Sequence, residues 1–301
     1  MSVTLKDIAR IARVDAGAVS RTLRDHPDSH RLSLSTRQRI CEVASALGYH
    51  PNLLASATRT GKVNTIAVIG GFQDRMSSYI SLSITGILAE CSCQNYNLKL
   101  FSDSCLSSVL PVLLGLQIKH VISLSHQFAL RKEVSDFCSS HGLRLIYLYE
   151  QPHSEFPTVT VDNRLGLEKA VMHLAGLGHQ RIGLLCAPHC YLYHEERHAG
   201  FLSGMSKCGL AVDDQWISCS DDTEAAVDRM LDLGEGRRPT ALCTISDQQA
   251  LLVQRCVLRR GWHLPGDLSV IGFGNLEVSE FAAVSLSSIE ESLVLRGHLA
   301  M

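Results

Sequence analysis

Near the amino terminus a short Asp-Ala-Gly stretch, Asp15 to Gly17, is followed at helical spacing by Ser20 and Arg21. Arg21 carries the forked guanidinium that binds guanine O6 and N7 together, a contact worth about 1–3 kcal/mol of discrimination against another base. Ala16, Gly17 and Ala18 offer small apolar surfaces suited to close approach and to thymine methyls. Asp15 would either accept from a cytosine amine or cap the helix that follows, and capping is the better use of an aspartate there. The hydroxyls of Thr4, Ser33 and Thr36 would donate to phosphates, fixing a docking register without reading sequence. A second cluster, Cys186, Cys190, His194 and His198, recurs every four residues and would align four metal-ligand types on a single helix. Pro188 interrupts that helix, so the spacing is read as coincidence and no metal is expected. The chain contains no GxSxG elbow, no GxxxxGK[ST] phosphate loop and no HExxH pair, and its histidines are scattered; neither an enzyme nor a cofactor is expected.

The elements that must hold these residues are legible in the first 50 positions. Thr4 and Asp7 form a capping-box-like start, after which Leu5, Ile8, Ala9 and Ala12 make one buried helical stripe. A break at Arg13 and Val14 precedes a second short helix, with Val19 and Leu23 inward. Ser33 caps a third helix carrying Ile40, Val43, Ala44 and Leu47, closed by Gly48 in the left-handed C′ position. Two short helices across a tight turn, backed by a third, predict a helix-turn-helix head. Charge supports this: residues 1–62 carry ten Lys+Arg against five Asp+Glu, whereas the whole chain of 301 residues has a net charge of −2. A basic head on an acidic body suits a polyanionic partner.

From Thr65 onward, apolar runs (IAVIG at 66, LKLF at 98, KHVISL at 119, LRLIYLY at 143, RIGLLC at 181, TALCTI at 240 and LSVIGF at 268) alternate with helix-length segments. That rhythm predicts an α/β body of two doubly wound parallel sheets with a ligand cleft at their strand ends. The eleven cysteines fall largely on apolar stretches and are expected to be reduced. No run of about 18 apolar residues or signal-type start is present, so no membrane is expected and a cytoplasmic location follows.

The stretches VTLKDIARIARVDAGAVSRTL and LSTRQRICEVASALGYHPN resemble the head and hinge of the LacI/GalR repressors, and VTVDNRLG, LGHQRIGLL, ERHAGF, PTALCTISDQQA and GDLSVIGFGN follow in that family's order. The resemblance implies a head over 1–50, a hinge over 51–62 and a periplasmic-binding-protein-like type I body. In that body, 63–160 with 288–301 form one subdomain and 161–287 the other. It places the second helix in the major groove with Asp15, Ala16, Gly17, Ser20 and Arg21 at the bases, and Leu5 and Asn52 also at the DNA. Two departures stand out: Arg13 occupies a turn position that is usually Gly, and DHPDSHR lengthens the following loop. In the hinge, Thr58 stands where a leucine would wedge the minor groove, so either Leu54 substitutes or the operator is bent less.

By the same resemblance Tyr79 is a cleft aromatic, Arg197 grips the effector's polar groups, and Ser246 or Asp247 is a second anchor. Arg197 could instead bridge to Glu195 or Glu196, and Tyr79 could be core. Gly274 replaces an aspartate common in sugar-binding members, which counts against a neutral hexose and leaves room for a sugar acid, because a cleft with one carboxylate fewer repels an anion less. The implied function is a homodimeric repressor that binds a near-palindromic operator and responds to a sugar or sugar acid. Because the family pattern continues for 30 to 40 residues beyond SLSSIEES and its helix, a shortened, unresponsive remnant stays open as an alternative, as does a binding protein without a regulatory role.

Overall fold

A computed structural model describes residues 3–24, 27–50, 63–72, 76–148, 155–187 and 191–301. The chain separates into two compact units, 1–62 and 63–301. The hinge 51–62, with Asn52, Leu54 and Thr58, lies outside the described residues.

The first unit is built from α1 (Leu5–Ala12), α2 (Ala16–Leu23) and α3 (Leu34–Ala46), with the lengthened loop forming a 3-10 turn over Pro27–Arg31. Its core is the predicted stripe: Ile8, Ala9, Ala12, Val19, Ile40 and Ala44 are buried together. The capping box is real, since the Thr4 amide and hydroxyl both donate to Asp7 Oδ2, at 3.0 and 2.7 Å. Gly48 closes α3 at φ +61°. Arg13 takes the left-handed conformation that its glycine-like position demands (φ 55°, ψ 51°), at a cost of about 1–2 kcal/mol for a residue with a Cβ.

The second unit holds two five-stranded, wholly parallel sheets. The first comprises β1 (Thr65–Gly70), β2 (Asn97–Ser102), β3 (His120–Ser123), β4 (Arg144–Leu148) and β5 (Thr158–Val159), in spatial order β2-β1-β3-β4-β5. The second comprises β6 (Ile182–Cys186), β7 (Ile217–Cys219), β8 (Ala241–Thr244), β9 (Ser269–Gly274) and β10 (Ser287–Glu290), in order β10-β9-β8-β6-β7. The central strands are the apolar runs of the sequence. The edge strands β5, β7 and β10 had no such signal because each is short and only half-buried.

Helices α4 (Ser78–Gln94), α5 (Leu106–Gly115) and α6 (Phe128–His141) cover the first sheet. Helices α7 (Asn163–Gly176), α8 (Leu192–Lys207), α9 (Thr223–Leu231) and α10 (Asp247–Arg259) cover the second. The final helix, α11 (Leu293–Leu299), returns to the first sheet and packs on α4. Gly86 and Gly297 make that crossing possible, because a Cβ on either would overlap the backbone of the other helix, at the Val294 or the Ser83 carbonyl. One expected boundary shifts: β10 is paired with β9 from Ser287 to Glu290, so the return to the first subdomain begins at Glu291 rather than at residue 288.

Candidate functional site

In the head, Asp15 is the N-cap of α2: its Oδ1 accepts from the Ala18 amide at 2.8 Å. An aspartate oriented this way satisfies a backbone donor that would otherwise be orphaned, and it lies 4.0 Å from Arg21 Nη2. Gly17 and Arg21 are exposed, with Ala16 and Ser20 half-buried on the same short helix. Ala18 does not share that surface; it is only 1% exposed and belongs to the core, which corrects its reading as a contact for thymine. Leu5 packs against the core of the head. Thr4 is exposed at the start of α1. Ser33 accepts from the Thr36 amide at 3.2 Å and shares a 2.8 Å hydroxyl contact with Thr36, so the two hydroxyls sit together at the start of α3.

In the body, a cavity of about 510 Å³ opens between the two sheets. It lies at the carboxyl ends of the parallel strands, where open α/β sheets leave space at the crossover. Tyr79 lines it from α4 and donates its hydroxyl to the Phe273 carbonyl at 3.1 Å, reaching across to the second sheet. Burial first, and the Glu291 charge second, push that phenol well above the ordinary tyrosine range. Ser246 also lines the cavity while capping α10 through the Gln249 amide, at 3.2 Å.

Arg197 reaches the cavity but is already committed. Its Nε donates to Asn163 Oδ1 at 2.8 Å, Nη1 to the Ile245 carbonyl at 2.5 Å and Nη2 to Glu291 Oε1 at 2.7 Å. The guanidinium lies 3.6 Å from the Phe273 ring centre and 4.9 Å from that of Tyr193. Its ion partner is thus Glu291, not Glu195 or Glu196; the Glu196 carboxylate accepts from Asn163 Nδ2 instead. Glu291 Oε2 in turn accepts from Arg296 Nη1 at 2.8 Å, and all three charged side chains are at most 5% exposed. Two guanidiniums share this one carboxylate, and Asp221 is a second acidic residue of the same lining.

Two expected anchors do not reach the cavity. Asp247 is fully buried and spends its carboxylate on the Leu276 amide (2.7 Å) and the Ser288 hydroxyl (2.5 Å), tying the start of α10 to the segment after β9 and to β10. Gly274 sits at φ +128°, and a Cβ there would come 2.8 Å from the Tyr79 hydroxyl and 3.3 Å from Asp247 Oδ2. Its lack of a side chain therefore makes room for Tyr79 rather than for a ligand.

The cavity holds residues that the sequence did not place in a cleft: His126, Asn163, Tyr191, Tyr193, Glu291, Arg296 and His194, the last weighed there only as a metal ligand. His126 meets Tyr191 and Tyr193 across the cleft at ring distances of 5.6 and 5.7 Å, and Tyr191 stacks on Tyr193 at 5.7 Å. Burial, helped by the charge of Arg296 and then of Arg131, holds the His126 imidazole down to about 4. His126 and Tyr191 follow β3 and β6, and Glu291 follows β10; position after a parallel strand was a usable signal for the first two, whose strands were visible. The spacing of cysteines and histidines breaks up as its proline suggested: Cys186 ends β6, His194 and His198 lie on α8, and Cys190 is outside the described residues. Cys186 is disulfide-bonded to Cys219, so the expectation that all cysteines are reduced is corrected.

The lacI-family model of bacterial regulatory proteins matches residues 4–52, and the periplasmic binding protein-like domain matches 171–301. The HTH-type transcriptional repressor CytR of Escherichia coli K12 is 30% identical over 320 residues, spanning all of this chain and 88% of that protein. The chain belongs to the LacI family. Catabolite control protein A of Priestia megaterium is 29% identical, over 100% of this chain and 91% of that protein. Among solved structures, the lac repressor dimer bound to operator and the anti-inducer ONPF has a TM-score of 0.85 at 22% identity, covering 100% of this chain and 91% of that one. The transcriptional regulator CelR in complex with cellobiose has a TM-score of 0.69 at 22% identity, covering 99% and 90%. These two likenesses show the fold. This LacI-family chain is a DNA-binding transcriptional regulator whose helix-turn-helix head is followed along the chain by two parallel-sheet subdomains, and no helix among the described residues is long and apolar enough to cross a membrane.

Proposed function

We propose that this regulator is a homodimeric repressor that reads a near-palindromic operator through α2 and is released or recruited by a small polar effector held in the cleft. It works in the cytoplasm by binding alone, without catalysis. The observation that carries the reading is the cleft wall made by both subdomains, in which Arg197, Glu291 and Arg296 form one buried ionic cluster beside the His126, Tyr191 and Tyr193 rings. Aromatic plates fit the apolar faces of a sugar ring, and polar atoms of Asn163 and Ser246 fit its hydroxyls. A carboxylate-bearing sugar would find charge-assisted donors in Arg197 and Arg296, whose charges Glu291 and Asp221 balance across the lining.

At the head, Arg21 is the base-reading residue, with Ala16, Gly17 and Ser20 beside it; Thr4, Ser33 and Thr36 face phosphates, and Asp15 positions the helix. Leu5, Asn52, Leu54 and Thr58 complete the expected contacts with DNA. Each effector state acts by favouring one cleft geometry, so effector and operator affinities are coupled reciprocally, by about 1–3 kcal/mol. The test is to select an operator from a random duplex pool and titrate it by fluorescence anisotropy at fixed salt, with neutral sugars and sugar acids added in turn. A selected consensus with two-fold symmetry, and a 5- to 150-fold shift in its affinity by a sugar acid (about 1–3 kcal/mol), is expected. Binding that is equal on all sequences, or indifferent to every compound, would overturn the reading.

A further inference from the structure

The disulfide between Cys186 and Cys219 lies directly beneath the cleft. The two residues are register partners on the parallel strands β6 and β7, with Cα atoms 4.5 Å apart. Each is the last residue of its strand, and the next residue in each case, Ala187 and Ser220, lines the cavity. β7 is an edge strand of three residues, paired only to β6. Beyond it the chain runs through Asp221 and Thr223, also in the cavity wall, into α9, whose N-cap Asp222 accepts from the Ala225 amide at 2.9 Å. A bond at the end of so short an edge strand therefore anchors a whole wall of the cleft, 217–223.

We infer that Cys186 and Cys219 form a thiol–disulfide redox site, oxidised by a low-molecular-weight disulfide such as glutathione disulfide, that sets the order of the cleft wall 217–223. Cys219, the more exposed of the two, attacks first. Its thiolate displaces one thiol from the oxidant to give a mixed disulfide; the Cys186 thiolate then attacks the Cys219 sulfur and releases the second thiol. Two protein thiols and one small disulfide become one protein disulfide and two small thiols, a two-electron exchange with no other reactant. Selectivity for an internal bond follows from pairing: Cys41, Cys93 and Cys105 are free and exposed and would stop at a mixed disulfide, whereas Cys91, Cys138 and Cys243 are buried thiols whose burial raises them above the ordinary range, Cys138 up to about 12. In the family's proposed mechanism the wall would help decide which cleft geometry is favoured, but the site stands on strand geometry and its test does not require an effector.

The test uses the full chain carrying Cys190→Ser and Cys208→Ser, so that the tryptic peptides 182–197 and 208–229 each contain one cysteine. The protein is equilibrated in glutathione buffers whose disulfide-to-thiol ratio is stepped from reducing to oxidising, then alkylated and digested. The expected result is one two-electron transition within that range, with the 182–197 and 208–229 peptides joined at its oxidised end. Amides of 217–223 should exchange at least tenfold more slowly in the oxidised protein. With Cys219→Ser added, exchange should be fast in every buffer. Full alkylation of both cysteines at the oxidising end overturns the inference. So does a bridge that persists at the reducing end, an exchange rate indifferent to oxidation, or slowing that survives Cys219→Ser.

Discussion

Replacing Glu291 by Gln removes one negative charge from between two buried guanidiniums while keeping nearly the same shape. Each pair is short, 2.7 Å to Arg197 and 2.8 Å to Arg296. The amide oxygen of Gln can still accept from one arginine, but its NH₂ group then faces the other, donor against donor. Breaking a buried pair from one side costs about 3–5 kcal/mol, because the partner charge stays buried without compensation. Here two partners are left, so the upper half of that range is expected. With a urea dependence of about 3 kcal/mol/M for a unit of this size, the midpoint should fall by about 1.3 to 1.7 M. The assay is urea unfolding of the full chain followed by far-UV circular dichroism, with Glu280→Gln, an exposed residue, as the control that should move by no more than about 0.5 kcal/mol. If the Glu291→Gln midpoint moves no further than the control's, the ionic cluster does not hold the subdomains together and the account of the cleft wall is wrong. A sugar acid or sulfate should protect the variant more than the parent, since an added anion replaces the lost charge.

Four further outcomes are expected. Arg13→Gly relieves a left-handed residue and should slow amide exchange across residues 8–14 in the full chain about fivefold, near 1 kcal/mol; faster exchange would mean that the arginine side chain stabilises its turn. Arg21→Ala should erase preference at one operator base pair, about 1–3 kcal/mol in competition binding, and an equal loss on all sequences would reassign Arg21 to phosphate. Asp15→Ala removes the cap of α2 and should weaken binding to every operator alike, following about 1 kcal/mol of lost helix stability, with Asp15→Ser restoring most of it. His126, held near 4 in the folded protein, stays neutral while the unfolded chain takes up a proton below about 6.5. Its contribution is therefore intact above pH 6.5 and is lost as pH falls towards 4, with a slope of up to about 1.4 kcal/mol per pH unit. Subtracting the pH profile of His126→Phe should isolate that slope, and coincident profiles would show that the imidazole is not desolvated.

The sequence alone determined what depends on neighbours along the chain. The capping box of Thr4 and Asp7, the cap at Asp15, the stripe of Ile8, Ala9 and Ala12, and the central strands are all local patterns, in which side-chain period and terminal donors decide the outcome. Even the glycine-like position of Arg13 was visible as a departure from pattern; only the structure showed that the backbone keeps its left-handed geometry and accepts the cost. The edge strands β5, β7 and β10 were illegible because half-buried strands of two to four residues carry little apolar signal, and their pairing comes from the sheet beside them. The cleft was decided almost wholly by tertiary structure. Arg197 meets a glutamate 94 residues away, Tyr79 reaches a carbonyl 194 residues away, and Cys186 pairs with a cysteine 33 residues on. No local spacing encodes such partners. They meet because parallel strands all end on one side of their sheets, and because Gly86 and Gly297 let the last helix close enough to bring Arg296 to the same wall.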